Sequence, residues 1–392
     1  MAKVKLREIA TLITKGTTPT TLGFDFVDEG INFVKIESIT DDGYFIHDKF
    51  AHITDDCNQK LFRSQLQEND LLFSIAGAIG RTAIVKEEIL PANTNQALAI
   101  IRVPSGIIDY SYLKYVLQSP TIAKQFEKRK QGVAQLNISL KDIGDFEIPM
   151  RKKEEQREIL AVFDKVNSLI AMRKEQLAKL DELFKARFVE MFGDPVLNPK
   201  GWTTVPFLDM GECKNGMNFH SDDAGVEIHC LGVGDFKERS AIRDVSALPK
   251  VSLNAMPTQD YLLQNDDIVF VRSNGNKALV GRCLAVYPND IPTTFSGFCI
   301  RYRRNSDSIC TDYLLRVLKS DSIRKKMAGR GANIQNLNQQ ILASLSIPVP
   351  PLEIQKQFSE FVEQTNKTKL TIQASLDKLE VMKKALMQEY FG

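Results

Sequence analysis

Six residues, Arg272-Ser273-Asn274-Gly275-Asn276-Lys277, place a guanidinium, two amides and an ammonium on one short polar segment directly after an apolar run. Arg and Asn are the side chains that make paired hydrogen bonds to guanine and adenine edges. Thr14-Lys15-Gly16-Thr17-Thr18 and Lys214-Asn215-Gly216 are likewise small, polar and basic. Denser positive charge lies at Lys124, Lys128, Arg129 and Lys130, and again at Arg324, Lys325, Lys326 and Arg330. Such clusters neutralise backbone phosphates. A solvated helix end accounts for either cluster taken singly; their recurrence points to a shared role. The candidate contact residues are Lys15, Thr17, Lys35, Ser74, Arg81, Lys128, Arg129, Lys214, Asn215, Arg272, Asn274, Asn276, Lys277, Arg324 and Lys325.

A second chemistry is written in Asp235-Phe236-Lys237, which follows a strand-like run and is preceded by Asp222 and Asp223. Two carboxylates holding a metal ion beside a lysine would make a nuclease, although a match this short is weak. Other catalytic patterns are missing. No GxxxxGK[ST] phosphate loop occurs, and His47, His52, His220 and His229 lack metal-ligand spacing. Asn198-Pro199-Lys200 lacks the second proline and the aromatic that an adenine methyltransferase loop needs. The doublets Asp41-Asp42, Asp55-Asp56 and Asp222-Asp223 read as solvated turns. The six cysteines include no CxxC pair, so reduced thiols are expected rather than a disulfide framework or zinc site. No catalytic, cofactor-binding or metal-binding residue is therefore assigned.

The elements that must carry these residues come in two copies. The shift that carries Gly132 onto Gly331 also carries Asn137-Ile138-Ser139 onto Asn336-Leu337-Asn338, Ile148-Pro149 onto Ile347-Pro348, Gln156 onto Gln355, and Phe192-Gly193 onto Phe391-Gly392. Upstream, with small insertions, Asp70-Leu71-Leu72-Phe73 matches Asp267-Ile268-Val269-Phe270, Gly80-Arg81 matches Gly281-Arg282, and Tyr112-Leu113 matches Tyr313-Leu314. The stretch between Lys15 and Ser64 scarcely matches its counterpart. Two copies are too few for a solenoid, so a pseudo-twofold molecule of two domains is expected. Its 392 residues, with 43% hydrophobic and 26% charged content and a net charge of +2, fit a globular chain with no global field for nucleic acid. No apolar run spans a membrane and the N-terminus is charged, so a cytoplasmic protein is expected.

Each unit opens with short β-branched and apolar runs. In the first these are Ile31–Ile36, Leu71–Ile75, Thr82–Val85 and Ala97–Val103. In the second they are Ile228–Gly232, Ile268–Arg272, Arg282–Tyr287 and Phe298–Tyr302. One helix is expected after each set, over Tyr112–Arg129 and Tyr313–Met327. The turn Ser74-Ile75-Ala76-Gly77-Ala78 occupies the place of Arg272–Lys277 but is almost uncharged, so if these turns read bases the two units read different ones.

The back of each unit is a long helix. From Glu154 to Met191 there is neither Pro nor Gly, and Ile159, Phe163, Val166, Ile170, Leu177, Leu180, Phe184 and Met191 fall on one seam interrupted by Arg173 and Arg187. The second, weaker seam is Phe358, Val362, Ile372, Leu376, Leu379, Met382 or Lys383, Leu386 and Tyr390, with Thr365 and Lys369 intruding. About 38 residues at roughly 1.5 Å each make a rod on the order of 57 Å long. A single rod cannot bury its own stripe, whereas two can bury each other's. Packing on the domains is the other possibility. Gly193 followed by Pro195 marks the end of the first helix.

In their order, twice over, these features resemble the specificity subunit of type I restriction–modification enzymes. The matching stretches are Asn69–Phe73 with Gly80-Arg81, Gly132 with Asn137-Ile138-Ser139, the Ile-Pro exits, Glu154-Glu155-Gln156 and Glu353-Ile354-Gln355, and the junction from Phe192-Gly193-Asp194-Pro195 to Gly201-Trp202. The resemblance implies an α/β (α+β) chain of two globular target-recognition domains, residues 1–150 and 194–349, separated by two long antiparallel coiled-coil helices, residues 151–193 and 350–392. Each domain would read one half of a split site in double-stranded DNA. The helices would set the spacing and dock two modification (methyltransferase) subunits, which restriction subunits then join. S-adenosylmethionine, ATP and Mg would belong to those partners, with no cofactor bound by this chain and no catalysis of its own. Met150-Arg151 stands where the family often has two prolines, so the first helix start differs from the second, which has Pro350-Pro351. Two alternatives remain open: a metal-dependent nuclease using Asp235 and Lys237, and a two-domain scaffold that binds only protein.

Overall fold

The computed structural model describes residues 2–127, 137–219, 223–236, 240–328 and 336–392. The chain divides into two compact units, Met1–Lys174 with Gln373–Gly392, and Glu175–Ile372. Each unit holds one globule and part of each long helix.

Unit one begins with β1 (Ala2–Lys5), α1 (Leu6–Ile9), β2 (Leu12–Lys15), β3 (Ile31–Val34), β4 (Ala51–Ile53) and α2 (Asp55–Lys60). It continues through β5 (Leu71–Ser74), β6 (Thr82–Ile84), β7 (Ala92–Thr94), β8 (Leu98–Arg102), α3 (Tyr110–Leu117), α4 (Pro120–Glu127), α5 (Leu140–Gly144) and β9 (Glu147–Met150) to α6 (Lys153–Phe192). β2, β8, β5 and β6 form an antiparallel sheet in that order. In a smaller sheet, β3 is antiparallel to β4 and parallel to β7. β1 pairs with β9, closing the globule beside the helix start.

The alternation of side chains along a strand explains the continuous apolar runs. Leu71 and Phe73, with Ala99 and Ile101, face a core that includes Tyr112, Leu113, Phe146, Ile159, Phe163 and Phe391. Leu72, Leu98 and Ile100 face the other way, onto Val34, Ala83, Val85 and Ile89. Both faces of the larger sheet are covered, so no polar alternation is visible in its central strands.

Unit two contains β10 (Thr204–Pro206), β11 (Gly211–Asn215), β12 (Val226–Leu231), β13 (Ala241–Ile242), β14 (Lys250–Leu253), β15 (Asp267–Val271), β16 (Cys283–Val286), β17 (Thr293–Phe295) and β18 (Cys299–Arg304). They are followed by α7 (Thr311–Leu318), α8 (Asp321–Ala328), α9 (Gln339–Ala343), β19 (Ser346–Pro348) and α10 (Leu352–Phe391). Its larger sheet runs β11-β18-β15-β16-β13 and its smaller one β14-β12-β17, with β12 antiparallel to β14 and parallel to β17. The region that scarcely matches in sequence thus has the same pairing in both units. β13, which lies parallel to β16, is an added edge strand.

Each globule's expected single helix is instead two: α3 and α4, and α7 and α8. Ser119 and Ser320 stand at the breaks, and their Oγ atoms accept the N–H groups of Ile122 at 3.3 Å and Ile323 at 3.4 Å. These are N-terminal caps. Pro120, at the first turn of α4, also cannot donate the bond that would continue α3. Arg129 lies outside the described residues.

Several polar contacts recur in both units. Asp70 accepts two hydrogen bonds of 2.7 Å from Arg102, and Asp267 two of 2.8 Å from Arg303. Both carboxylates are buried and also accept a backbone N–H, from Gln67 and Gln264. Tyr112 and Tyr313 donate their hydroxyls to the carbonyls of Pro149 and Pro348. Gln156 and Gln355, buried one turn into the long helices, accept the N–H groups of Asp109 and Cys310 at 2.9 and 2.8 Å. They thereby tie each helix start to the residue that begins α3 or α7.

The helices pack antiparallel within each unit. In unit one, Phe163 lies 5.9 Å from Phe391 between ring centroids, and Lys174 lies 3.8 Å from Glu380. In unit two, Lys369 bonds Asp181 at 2.6 Å, and Phe184 and Phe188 meet Phe361 and Phe358 at 5.7 and 5.6 Å. Ile159, Phe163, Val166, Ile170, Phe358 and Leu376 are buried. Leu177, Leu180, Phe184, Val362, Ile372, Leu379 and Leu386 are half-buried. The seam is not only helix against helix: Ile159 and Phe163 belong to the first globule's core, and Phe358 to the second's. Phe188 and Phe192 fill that second core in place of a stripe continuing to Met191. The intruding Thr365 donates to the carbonyl of Phe361 at 2.8 Å, and Lys369 is paired as above. Gly193 closes α6 at φ 76°, its N–H on the carbonyl of Val189 at 2.8 Å, with Pro199 packed where a Cβ would be.

Candidate nucleic-acid interface

Three segments meet at one end of each larger sheet. In unit one they are the end of β2, the turn from Ile75 to Arg81, and the Asn95–Ala97 link between β7 and β8. A Cβ on Gly16 would lie 1.8 Å from the carbonyl oxygen of Thr94, so only glycine lets the first segment pass the third this closely. Ile75 N donates to Ala97 O at 2.9 Å, and Ile138 N to Ile75 O at 3.1 Å, which brings Asn137–Ser139 to the same place.

Unit two repeats the device, with the glycine's closest approach one residue further along the link. A Cβ on Gly216 would lie 2.1 Å from Ser296 O. Arg272 N donates to Phe298 O at 2.8 Å, and Leu337 N to Arg272 O at 2.8 Å. α8 joins this end through Arg324, whose Nη2 donates to Val280 O at 3.3 Å. One backbone frame therefore presents two different sets of side chains.

The candidate residues distribute unevenly on this frame. Lys15 and Thr17 are exposed at it. Lys35 follows β3 at the same end, with its ammonium 4.2 Å from the centre of the Phe26 ring. Ser74 is different: it is fully buried and donates to Ala76 O at 2.9 Å, so it shapes the turn rather than facing outward. Arg81 also turns inward, donating to the carbonyls of Ile36 at 3.2 Å and Ile39 at 2.8 Å and pairing with Asp41. Its guanidinium holds the 36–41 segment in place. Lys128 and Arg129 lie outside the described residues.

In unit two, Lys214 is half-buried, 3.3 Å from Asp260 and 4.8 Å from the Tyr261 ring centre, while Asn215 is exposed. Arg272 is half-buried and reaches Gly297 O at 3.4 Å. The side-chain oxygens of Asn274 and Asn276 accept the N–H groups of Asn276 at 2.8 Å and Ala278 at 3.1 Å. The loop thereby orients both amides, with one acceptor site on each already used. Lys277 and Lys325 are exposed. Phe298, absent from the sequence-based set, is 61% exposed at the centre of this end. Its signal was the repeat itself, which pairs it with Ala97.

The nuclease string finds no support in its geometry. Asp235 accepts the N–H of Gly232 at 2.9 Å and caps a short turn, and Lys237 and Asp222 lie outside the described residues. Asp223 accepts from Asn254 at 2.8 Å. Among the described residues no group of three or more His, Cys, Asp or Glu could hold a metal ion. Burial pushes the Cys213 and Cys230 thiols up to about 12 and Cys283 up to about 11, away from nucleophilic thiolate. Among the described residues no helix is long and apolar enough to cross a membrane.

Known proteins share this architecture. The specificity subunit of the type I restriction enzyme StySPI from Salmonella potsdam is 25% identical over 285 residues, 67% of this chain and 59% of the relative. The aligned part thus spans less than two thirds of that relative. The MjaVIII specificity subunit of Methanocaldococcus jannaschii is 22% identical over 362 residues, 87% of this chain and 81% of the relative. A solved chain from work on complex assembly and conformational transition of the type I R-M system superposes with a TM-score of 0.64 at 17% identity, covering 100% of this chain and 97% of its own. The family model described as Type I restriction modification DNA specificity domain matches twice, over residues 1–182 and 199–381, so the chain belongs to the type I restriction–modification DNA specificity family.

Proposed function

We propose that the chain is the sequence-specific DNA-binding subunit of a type I restriction–modification enzyme and catalyses nothing itself. The observation that carries this reading is the paired frame: the same backbone contacts at Gly16 and Gly216, Ile75 and Arg272, Ile138 and Leu337, carrying different side chains. A common frame with divergent tips suits two readers of unlike half-sites. Phosphate contacts from Lys15, Lys35, Lys325 and their neighbours would set register, and tip residues such as Asn274 and Asn276 would choose bases.

In this reading residues 1–150 and 194–349 are the target-recognition domains and residues 151–193 and 350–392 the spacers. Half-sites about one helical turn apart, roughly 34–36 Å, need a stiff ruler. Two 40-residue helices supply one, each on the order of 60 Å long. The same helices would dock two methyltransferase subunits. S-adenosylmethionine, ATP and Mg would act in those and in the restriction subunits, not here.

Domain exchange tests the reading. Replacing residues 15–150 with the corresponding stretch of another family member should change one half of the methylated site and leave the other intact. A change in both halves, or in neither, would defeat the two-reader account.

A further inference from the structure

We propose that Phe298 is a specificity-determining residue of unit two that recognises a thymine through its C5-methyl group. The inference rests on the reading of the chain as a DNA-binding subunit and adds a residue and a base to it.

Phe298 lies between two strands whose neighbouring residues are buried: Phe295, Cys299 and Ile300 are all inaccessible, while Phe298 is 61% exposed. Nothing in the fold requires a ring there. Ala97 holds the equivalent place in unit one, where its carbonyl accepts the same bond from the turn opposite. The large apolar side chain is thus an addition to the frame.

The turn that presents it is tightly braced. Phe298 O accepts the N–H of Arg272 at 2.8 Å and that of Ser273 at 3.4 Å. Phe298 N donates to Ser296 Oγ at 3.3 Å, and Gly297 N to Met217 O at 2.6 Å. A Cβ on Gly297 would lie 3.2 Å from Met217 O and would push the Asn218 side chain aside, its Oδ1 being 2.0 Å away. Arg272 Nη1 reaches Gly297 O at 3.4 Å. A ring on so constrained a backbone is preorganised for contact rather than left to fold back.

Its neighbours on the frame, Arg272, Asn274 and Asn276, are hydrogen-bonding side chains of the kinds that read the major groove. Among major-groove base edges only thymine offers an apolar group, its C5 methyl, and Phe is one of the side chains that contacts it. Cytosine, otherwise the alternative pyrimidine, lacks that methyl. Unit one, with Ala97, would lack the ring contact at the matching position.

The test uses the complex containing the full-length chain and its methyltransferase subunits. Its target is read by methylome sequencing, and the half belonging to unit two is the one that survives exchange of residues 15–150. Duplexes then carry uracil in place of each thymine of that half in turn. Uracil keeps the hydrogen-bonding edge and removes only the methyl. The wild-type complex should bind about fourfold more weakly at one position, the size of losing one buried methyl group. Phe298→Ala should bind thymine and uracil equally there and keep its other base preferences. Phe298→Leu should retain part of the difference, and 5-methylcytosine should recover binding lost to cytosine at that position.

The proposal is overturned if Phe298→Ala shows the same uracil penalties as wild type. It is also overturned if the half-site contains no thymine, or if the variant loses affinity equally for every sequence, the mark of stacking or of a protein contact. Wild-type complex with no sequence preference at all would instead defeat the underlying reading, so the two failures are distinct.

Discussion

Replacing Gln355 with Ala should loosen unit two at the start of its long helix, and more severely than Gln156→Ala loosens unit one. Gln355 is fully buried and makes three bonds: it accepts from Cys310 N at 2.8 Å and donates to Ser308 O at 2.9 Å and Pro350 O at 2.8 Å. Gln156 makes two, accepting from Asp109 N at 2.9 Å and donating to Arg151 O at 2.8 Å. At about 1 kcal/mol net per neutral bond, the losses are about 3 and 2 kcal/mol before any unsatisfied backbone group is counted. Local opening should therefore accelerate roughly 150-fold over α7 and its cap, against roughly 30-fold over α3. Gln355→Glu should be worse than Gln355→Met, because a carboxylate would face two carbonyl oxygens whereas Met leaves them unpaired but unrepelled. Hydrogen exchange read by mass spectrometry on peptides covering 308–318 and 109–117 resolves the two units separately. This matters because a chain of two units need not unfold in one step. Protection of 308–318 unchanged within twofold in Gln355→Ala would refute the argument that this side chain ties helix to globule.

Further outcomes follow from other local features. Five of the six cysteines lie in unit two, and burial raises Cys213 and Cys230 to about 12, Cys283 to about 11, and Cys299 and Cys310 likewise upward. The unfolded thiols lose protons near pH 9 while the folded ones keep them, so their contribution is complete below pH 9 and declines as pH rises toward 11. Denaturation at pH 8 and pH 10, followed by exchange, should show unit two losing more stability than unit one, which has Cys57 alone; equal losses would contradict this. Gly216→Ala should cost about 1–3 kcal/mol and weaken DNA binding without removing a charge, because its Cβ would meet the Ser296 carbonyl at 2.1 Å. Calorimetry and a binding titration check the two halves of that statement. Asp267→Asn should destabilise unit two by about 1.5–3 kcal/mol, since Arg303 loses its charge-assisted pair; a melting temperature unchanged from wild type would argue against it.

The repeat made much of this legible. Leu71-Leu72-Phe73 and Ile268-Val269-Phe270 read as strands because a sheet covered on both faces needs unbroken apolar runs. The long helices were equally plain, since nothing between Glu154 and Met191 can break one. What stayed hidden was direction. Ser74 sits on a face that turns inward, and Arg81 bends back to two carbonyls, and neither can be foreseen when one step along a strand reverses the face. The buried pairs Asp70–Arg102 and Asp267–Arg303 were visible in principle, because matching charges recur within apolar strands of both units. The smaller sheets were not, because their pairing survives in structure while the residues between Lys15 and Ser64 have diverged from their counterparts. Phe298 escaped for a different reason: the repeat pairs it with Ala97, but only the backbone bonds show that its turn lies beside Arg272, and only the fold shows its ring exposed.

Methylome sequencing of cells with and without this chain decides whether it reads a split DNA sequence. A DNA-reading subunit of this kind gives a methylated motif of two specific halves separated by unspecified bases, present with the chain and gone without it. Methylation that is identical in both cells, or a chain-dependent motif with no interruption, would contradict that reading.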